Sequence, residues 1–382
     1  MGRQLAARHG TGAACRQIAK HNLRMNMIQN HLMTMTTDSR RSFSSFLPII
    51  FFLMMLPVLF TSCKSSKTNQ EALIWQVPIG PDFNADSAFA YCQAQCDFGP
   101  RTMNSVSHDL CESWIIEKFK NFGCHTIAQK ATLQGYDGTP LKSTNIIAST
   151  QPDNTTRVMI CAHWDSRPWA DNDPDSTKWH TPVLAANDGA SGVAVMLELA
   201  RQLQQADSLK VGVDFICFDA EDWGTPQWDN NTYPNTGEVW ALGAEYWSKN
   251  THIDHYAPRY GILLDMVGGQ GAQFFQERLS KQYAQPIINK VWAAAKVVGF
   301  GSYFPDSTGE YITDDHVPVN THANIPTIDV IPFYPDCKQS GFGPTWHTVN
   351  DDMQHIDKNT LKAVGQTLIQ VLYSENRPHE KP

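Results

Sequence analysis

The segment Val213-Asp214-Phe215-Ile216-Cys217-Phe218-Asp219-Ala220-Glu221-Asp222 decides the fold class of this 382-residue chain. Its first six residues are almost all apolar, and a short run of this kind is typical of a strand buried on both faces of a parallel sheet. Acidic residues follow at once, where that strand would end. In open α/β sheets the ligand lies outside the carboxyl ends of the strands, so we expect a functional site among these acids.

Similar apolar runs recur along the chain, and amphipathic stretches separate them. We predict strands at Asn145–Ala148, Arg157–His163, Val211–Phe218, Tyr260–Val267 and Ile325–Ile331. We predict helices at Gly192–Gln205, Leu242–Lys249, Phe274–Val298 and Asn359–Tyr373, after an amphipathic stretch at Ser105–Phe122. This alternation predicts a single globular α/β domain, in which a mixed, mostly parallel central sheet carries helices on both faces.

The composition is that of a globular protein with an acidic balance. Hydrophobic residues make up 42% of the chain and charged residues 18%, which is too apolar for a disordered polypeptide. The formal net charge is −8 at pH 7. Because nucleic-acid binding favours basic surfaces, we expect no nucleic acid among the partners.

The beginning of the chain has the features of a targeting segment. Seven basic residues and one acidic residue precede Cys63, and an apolar run at Phe46–Phe60 ends shortly before it. That run is shorter than the roughly 20 residues of a membrane-spanning helix, which favours a lipoprotein-type signal peptide over a plain transmembrane anchor. We predict a signal segment at residues 1–62, a tether at 63–74 and the folded domain at 75–382. The protein would lie outside the cytoplasm, in the periplasm or cell envelope, and would meet the membrane only through a lipid on Cys63.

Seven of the nine cysteines lie after Cys63, so at least one thiol of the mature chain stays free. Cys161 and Cys217 stand in apolar runs and are expected to be buried small hydrophobic residues. A bridge between Cys92 and Cys96 is conceivable, but a helix would also place both on one face without a bond.

Acids and histidines gather where the predicted strands end. The segments are His163-Trp164-Asp165, Asn187-Asp188-Gly189, Glu221-Asp222, Asp265, Asp314-Asp315-His316 and Trp346-His347. Two carboxylates and one imidazole with an open position suit a catalytic zinc ion. The sequence contains no CxxC pair, HExxH helix, GxSxG elbow or phosphate loop, which disfavours structural zinc, the common metalloprotease helix and serine nucleophiles.

This ordered set of residues resembles the zinc aminopeptidase superfamily. Within it, the chain is similar to the glutaminyl-peptide cyclotransferases (glutaminyl cyclases) of the animal type, in a bacterial form. Three features carry that finer resemblance: the segment Leu263–Gly268 around Asp265, the doubled acid Asp314-Asp315 before His316, and Trp346 directly before His347.

The resemblance implies a metal site and a reaction. Its implied ligands for one Zn²⁺ per chain are Asp188, Asp222 and His347; the animal members have Glu where Asp222 stands. Its implied catalytic carboxylates are Glu221, as general acid/base, and Asp265 and Asp314, as a hydrogen-bonded network. The implied reaction cyclises the N-terminal glutamine of peptides and proteins to pyroglutamate and releases ammonia.

The resemblance also implies a substrate pocket and an oligomeric state. Trp346 would form a wall of the pocket and Trp228, in the loop after Asp222, would close it. The family leads us to expect a monomer.

Two other functions stay open at this point. In a two-zinc aminopeptidase, His163 and Asp265 would bind a second metal bridged by Asp188, and Glu221 would activate water against a peptide bond. In a non-catalytic surface receptor, the aromatic-rich stretch Trp223–Trp247 would be a binding face.

Overall fold

Six strands form one mixed sheet in the computed structural model, which describes residues 77–205, 209–229 and 239–376. The strands are β1 (His125–Gln134), β2 (Pro140–Ser149), β3 (Arg157–His163), β4 (Gly212–Phe218), β5 (Gly261–Leu264) and β6 (Thr327–Val330). Their order across the sheet is β1-β2-β4-β3-β5-β6. The pairs β1–β2 and β2–β4 are antiparallel, and β4, β3, β5 and β6 are parallel. The predicted mixed, mostly parallel sheet is confirmed.

Helices cover both faces of this sheet. In the described residues they are α1 (Ala85–Cys96), α2 (Val106–Asn121), α3 (Ala190–Leu203), α4 (Leu242–Lys249), α5 (Arg278–Val297), α6 (His316–Thr321) and α7 (Lys358–Ser374). Alternate residues of β3 divide between two apolar cores. Val158 and Ile160 pack with α1, α2, α3, α5 and α7, whereas Met159 and Cys161 pack with α4 and α6.

The structure reproduces two predicted elements and shifts others. The predicted bounds of β3 and α4 are those observed. The helix predicted from Phe274 begins at Arg278, because the carboxylate of Glu277 accepts hydrogen bonds from the backbone N–H groups of Leu279 and Ser280 and caps the helix there. The edge strand β1 was not predicted, since its half-exposed residues form no apolar run.

The parallel strands bring their carboxyl ends to one edge of the sheet. Gly192 lets the start of α3 pack tightly there, since a Cβ atom on it would lie 2.4 Å from the carbonyl oxygen of Leu264 and 2.7 Å from Cβ of Ala162. The loop that precedes α3, with Asp188, is therefore held close to the ends of β3 and β5.

The seven described cysteines form no disulfide, and six of them are buried. Cys161 and Cys217 are fully buried in strands, as predicted. No helix among the described residues has the length and apolarity needed to cross a membrane. The predictions for the signal segment, Cys63 and the tether fall outside the described residues.

Candidate metal and catalytic site

Asp188, Asp222 and His347 converge at the carboxyl edge of the sheet. Each can direct one ligand atom to a common point, and these atoms lie within 4.8 Å of one another. Nε2 of His347 is 3.2 Å from Oδ1 of Asp222 and 3.6 Å from Oδ2 of Asp188. Oδ2 of Asp222 is buried and has no hydrogen-bond partner among the described residues. Two carboxylates, one imidazole and an orphaned buried oxygen fit a catalytic zinc ion with an open position.

Asp351 fixes the segment that carries Asp188. Its buried carboxylate accepts hydrogen bonds from the backbone N–H groups of Asn187 (2.7 Å) and Asp188 (2.9 Å). Burial, and then the charge of Asp188, raises the pKa of Asp351 to about 7. Asp351 was not among the predicted site residues, because an acid four residues after His347 has no pattern that separates it from a turn residue.

Asp165 fixes the segment that carries Asp222. Its fully buried carboxylate accepts hydrogen bonds from the backbone N–H groups of Glu221 (3.0 Å) and Asp222 (3.1 Å). Ala220, just before them, turns the chain through the left-handed region at φ 54°. The turn after β4 is thereby held so that Glu221 and Asp222 both reach the site.

Asp171 and Arg167 support His347 from behind. Oδ1 of Asp171 is 3.5 Å from Nδ1 of His347, and the carboxylate binds the guanidinium of Arg167 in a bidentate pair with two 2.7 Å bonds. Arg167 also donates to Oδ1 of Asp222 at 3.3 Å. Burial would raise the pKa of Asp171, but the hydrogen bonds from Arg167 and His347 hold it well below its usual range. An ionised Asp171 therefore orients the imidazole, as partners of metal-binding histidines usually do. This pair was not predicted, because its only signal in the sequence is two opposite charges four residues apart.

Three further predicted carboxyl groups of the site have raised pKa values. Burial raises the pKa of Asp265 to about 7, although its hydrogen bond with His163 works against this. Burial also raises the pKa of Asp314, against the lowering charge of His316. The pKa of Glu221 is raised well above its usual range by burial and by the charges of Asp222 and Asp314, although His163 lowers it. Buried carboxyl groups that raise one another's pKa values are not all ionised together at neutral pH.

A second group of possible ligands adjoins the first. Nε2 of His163 is 3.0 Å from Oδ1 of Asp188 and 3.2 Å from Oδ1 of Asp265, and these three residues could also hold a metal ion. Burial alone would lower the pKa of His163, but hydrogen bonds with Asp165, Asp188 and Asp265 raise it well above the usual range. His163 therefore lies between the carboxylates of Asp188 and Asp265, within hydrogen-bond distance of each.

More buried acids surround those of the site. Asp315 and Asp329 are both fully buried, and burial followed by the charge of Asp314 raises the pKa of each well above the usual range. Glu277 differs, because its pairing with His316 at 3.3 Å outweighs burial and lowers its pKa to about 2. Only part of this acid cluster is ionised at neutral pH.

Seven of the eight predicted site residues line one cavity of about 250 Å³: Asp188, Glu221, Asp222, Asp265, Asp314, Trp346 and His347. Its apolar walls also include Trp240, Ile331 and Phe342. The ring of Trp346 stacks on His347, with the ring centroids 3.7 Å apart. Trp228 does not line this cavity. Its ring instead contacts Trp169, Trp179 and His180.

All of the site residues lie within a region that matches one known protein family. The sequence model of peptidase family M28 matches residues 145–372, which contain all of the site residues and well over half of the chain. The chain belongs to peptidase family M28.

Two solved structures are similar over most of this chain. The glutaminyl cyclase of Bacteroides thetaiotaomicron, in a crystal structure with N-acetylhistamine bound, is 50% identical, with a TM-score of 0.74, and the match covers 79% of this chain and 99% of that one. A Zn-dependent exopeptidase from Parabacteroides distasonis is 48% identical, with a TM-score of 0.74, and the match covers 77% of this chain and 99% of that one. The predicted relationship to zinc enzymes and to bacterial glutaminyl cyclases is confirmed.

A curated relative is more distant. An aminopeptidase of Bacillus subtilis is 29% identical over 273 residues, which cover 67% of this chain and 50% of that protein. The chain thus spans about half the length of this relative.

Proposed function

We propose that this protein is a zinc-dependent glutaminyl-peptide cyclotransferase, which converts the N-terminal glutamine of peptides and proteins to pyroglutamate and releases ammonia. The observation that carries the proposal is the position of Glu221. Its carboxyl group lines the same small cavity as the ligands Asp188, Asp222 and His347 without belonging to that ligand group. The 50% identity to the Bacteroides glutaminyl cyclase supports the same reaction.

The cavity suits one glutamine side chain. At about 250 Å³ it lies below the roughly 300–1,000 Å³ of typical drug-sized pockets, so it takes a single residue rather than an extended peptide. Its walls at Trp346, Trp240 and Ile331 are apolar, and its polar end is formed by the carboxylates and His347. A glutamine side chain has the matching order of two methylene groups followed by an amide.

Glu221 would carry the proton that the reaction moves. The α-amine nitrogen of the substrate attacks the side-chain amide carbon of the same residue, so the nucleophile is already tethered and needs only orientation. The Glu221 carboxylate takes a proton from that nitrogen and returns it to the leaving nitrogen, so that the ring C–N bond forms as ammonia departs. The raised pKa of Glu221 suits a group that must be both base and acid near neutral pH. When bound to the three ligands, zinc supplies a Lewis acid that polarises a carbonyl group.

Asp265 and Asp314 would orient the amine. Both residues line the cavity beside Glu221. A carboxyl group at the cavity wall can accept a hydrogen bond from the substrate nitrogen. The raised pKa values indicate that the two carboxyl groups are not both ionised at neutral pH, which relieves the repulsion between them.

We further propose that one zinc ion per chain is sufficient. Asp188, Asp222 and His347 supply the three ligands of an open catalytic zinc site without any contribution from His163. The second candidate function, a two-zinc aminopeptidase, is favoured by the convergence of His163, Asp188 and Asp265 within 4.8 Å.

One assay separates the two functions. The zinc-loaded protein is incubated with a peptide that begins with glutamine, and ammonia is followed by a coupled enzyme reaction while free amino acids are followed by chromatography. The proposal predicts ammonia and a pyroglutamyl peptide. Release of free glutamine without ammonia would establish the aminopeptidase. The same peptide with N-terminal glutamate, which has no amide to lose, is the control.

The place of action remains part of the proposal. A lipid on Cys63 would hold a monomeric enzyme at the outer side of a membrane, where newly exported proteins with N-terminal glutamine are the expected substrates. Cys63→Ser should release the protein from the membrane fraction and abolish incorporation of labelled fatty acid, whereas a soluble wild-type protein would refute the anchor.

A further inference from the structure

We propose that an aromatic surface formed by Trp179, His180 and Trp228 binds an apolar side chain of the peptide substrate beyond its N-terminal glutamine. This inference rests on the proposed function, since it extends the substrate site of that reaction. We call these three residues the aromatic platform.

The three rings form one continuous surface. The indoles of Trp179 and Trp228 lie nearly parallel, at 16°, with centroids 6.1 Å apart, and the His180 ring is 4.4 Å from that of Trp228. Trp228 is 37% exposed. Among the described residues, it is the one tryptophan that belongs to the exposed large hydrophobic residues. A large indole left open to solvent beside other rings is typical of a binding surface.

The platform is built onto the segment that supports His347. The backbone N–H of Gln227, next to Trp228, donates to Oδ2 of Asp171 at 3.0 Å. The indole N–H of Trp179 donates to the carbonyl oxygen of Asp173 at 2.8 Å. Because Asp171 also contacts His347, the rings stand in a fixed position relative to the cavity.

The distance from the cavity to the platform matches a short peptide. Trp240 lines the cavity, and the centroid of its ring is 4.7 Å from Cζ of Arg167. The same Cζ atom is 5.4 Å from the ring centroid of Trp169. The rings of Trp169 and Trp228 are in turn 6.1 Å apart, centroid to centroid. The rings of Trp240 and Trp228 are therefore at most about 16 Å apart. An extended chain advances about 3.3–3.6 Å per residue, so residues two to five of a substrate can reach the platform.

The occupant follows from the size of the cavity and the chemistry of the platform. A cavity of about 250 Å³ holds only the glutamine, and the rest of the substrate must leave across its rim. Three adjoining rings favour an aromatic or large aliphatic side chain over a charged one.

Phenylalanine scanning tests the proposal. The parent peptide is glutamine followed by four alanines and an amide, and phenylalanine replaces each alanine in turn. For the wild-type protein we expect phenylalanine at one of these positions to raise kcat/KM for ammonia release by about tenfold, mainly by lowering KM. Trp228→Ala should abolish this gain, and Trp228→Phe should keep part of it. Tyr283→Ala, which removes an exposed ring of α5 outside the site, should keep all of it.

The possible failures can be told apart. The proposal would be overturned if phenylalanine at no position raised kcat/KM for the wild-type protein. It would also be overturned if the rise in kcat/KM persisted in both the Trp228→Ala and the Trp179→Ala variants. Absence of ammonia from every peptide would refute the proposed function instead; the platform is then tested by calorimetric binding of the same peptides to zinc-loaded Glu221→Gln, where the same tenfold preference is expected. A dimer in light scattering that Trp228→Ala dissociates would assign these rings to a subunit interface and overturn the proposal.

Discussion

Replacing Asp171 with asparagine is expected to weaken zinc binding by about 10- to 100-fold, or about 1.4–2.7 kcal/mol. The carboxylate of Asp171 stands 3.5 Å from Nδ1 of His347, and its negative charge makes the opposite nitrogen, Nε2, a better donor to a metal. Asparagine is nearly isosteric but carries no charge, so His347 would keep its place and lose basicity.

Arg167 adds to the expected loss of zinc affinity in Asp171→Asn. Asp171 forms two 2.7 Å hydrogen bonds with this guanidinium, which also contacts Oδ1 of Asp222 at 3.3 Å. In Asp171→Asn the buried cation would be left with Asp222 as its anionic partner and would compete with the metal for that oxygen. Removing one partner of a buried ion pair also lowers the free energy of unfolding by roughly 3–5 kcal/mol, and the remaining contact with Asp222 places this variant at the low end.

The assay is competition for zinc against a chelator of known affinity, on protein shown by circular dichroism to be folded. Asp214→Asn is the matched control: Asp214 is also buried and also binds a buried arginine, Arg157, through two 2.6 Å hydrogen bonds, but it lies near the start of β4 and contacts none of the three proposed ligands. That variant should keep its zinc affinity. Equal zinc affinities of folded Asp171→Asn and wild type would refute the supporting role of Asp171.

Two further predictions concern carboxyl groups in different roles. Glu221→Gln should lower kcat for ammonia release by about 10²–10⁴-fold and still bind zinc, because Glu221 moves a proton and is not a ligand; near-normal turnover in the zinc-loaded variant would exclude that role. Glu277 has a pKa lowered from 4.5 to about 2, so the stability it contributes is fully present above pH 4.5 and is lost as the pH falls towards 2. Acid unfolding of the metal-free protein, followed by tryptophan fluorescence, should therefore be less steep in this range for Glu277→Gln, and identical pH profiles would contradict the assignment.

The sequence was sufficient to predict five of the six strands, β2 to β6, and the residues that gather at the edge of the sheet. Parallel strands end on the same side, so polar residues after β3, β4 and β5 had to lie near one another. Asp188 and His347 come from loops outside these strands, and the resemblance to a known family pointed to them. Their convergence within 4.8 Å with Asp222 depends on tertiary packing that no local pattern encodes.

The residues that hold the site in place were less accessible to prediction. Asp165 and Asp351 each accept two backbone hydrogen bonds from segments far away in sequence, and Asp171 pairs with Arg167 in a loop without regular structure. A single acid in a loop looks like a turn residue when only its neighbours are known. For Trp228 the resemblance predicted a residue that closes the substrate pocket. Its ring does not line that cavity and packs with the rings of Trp179 and His180 instead.

The central claim is that zinc bound by Asp188, Asp222 and His347, with Glu221 beside it, supports release of ammonia from N-terminal glutamine. The most direct test is titration of the metal-free protein with zinc, with ammonia release from a glutaminyl peptide and bound metal measured in the same samples. We predict that activity rises in proportion to zinc and reaches its maximum at one ion per chain. Maximal activity only after a second firmly bound ion, together with release of free glutamine, would contradict the claim.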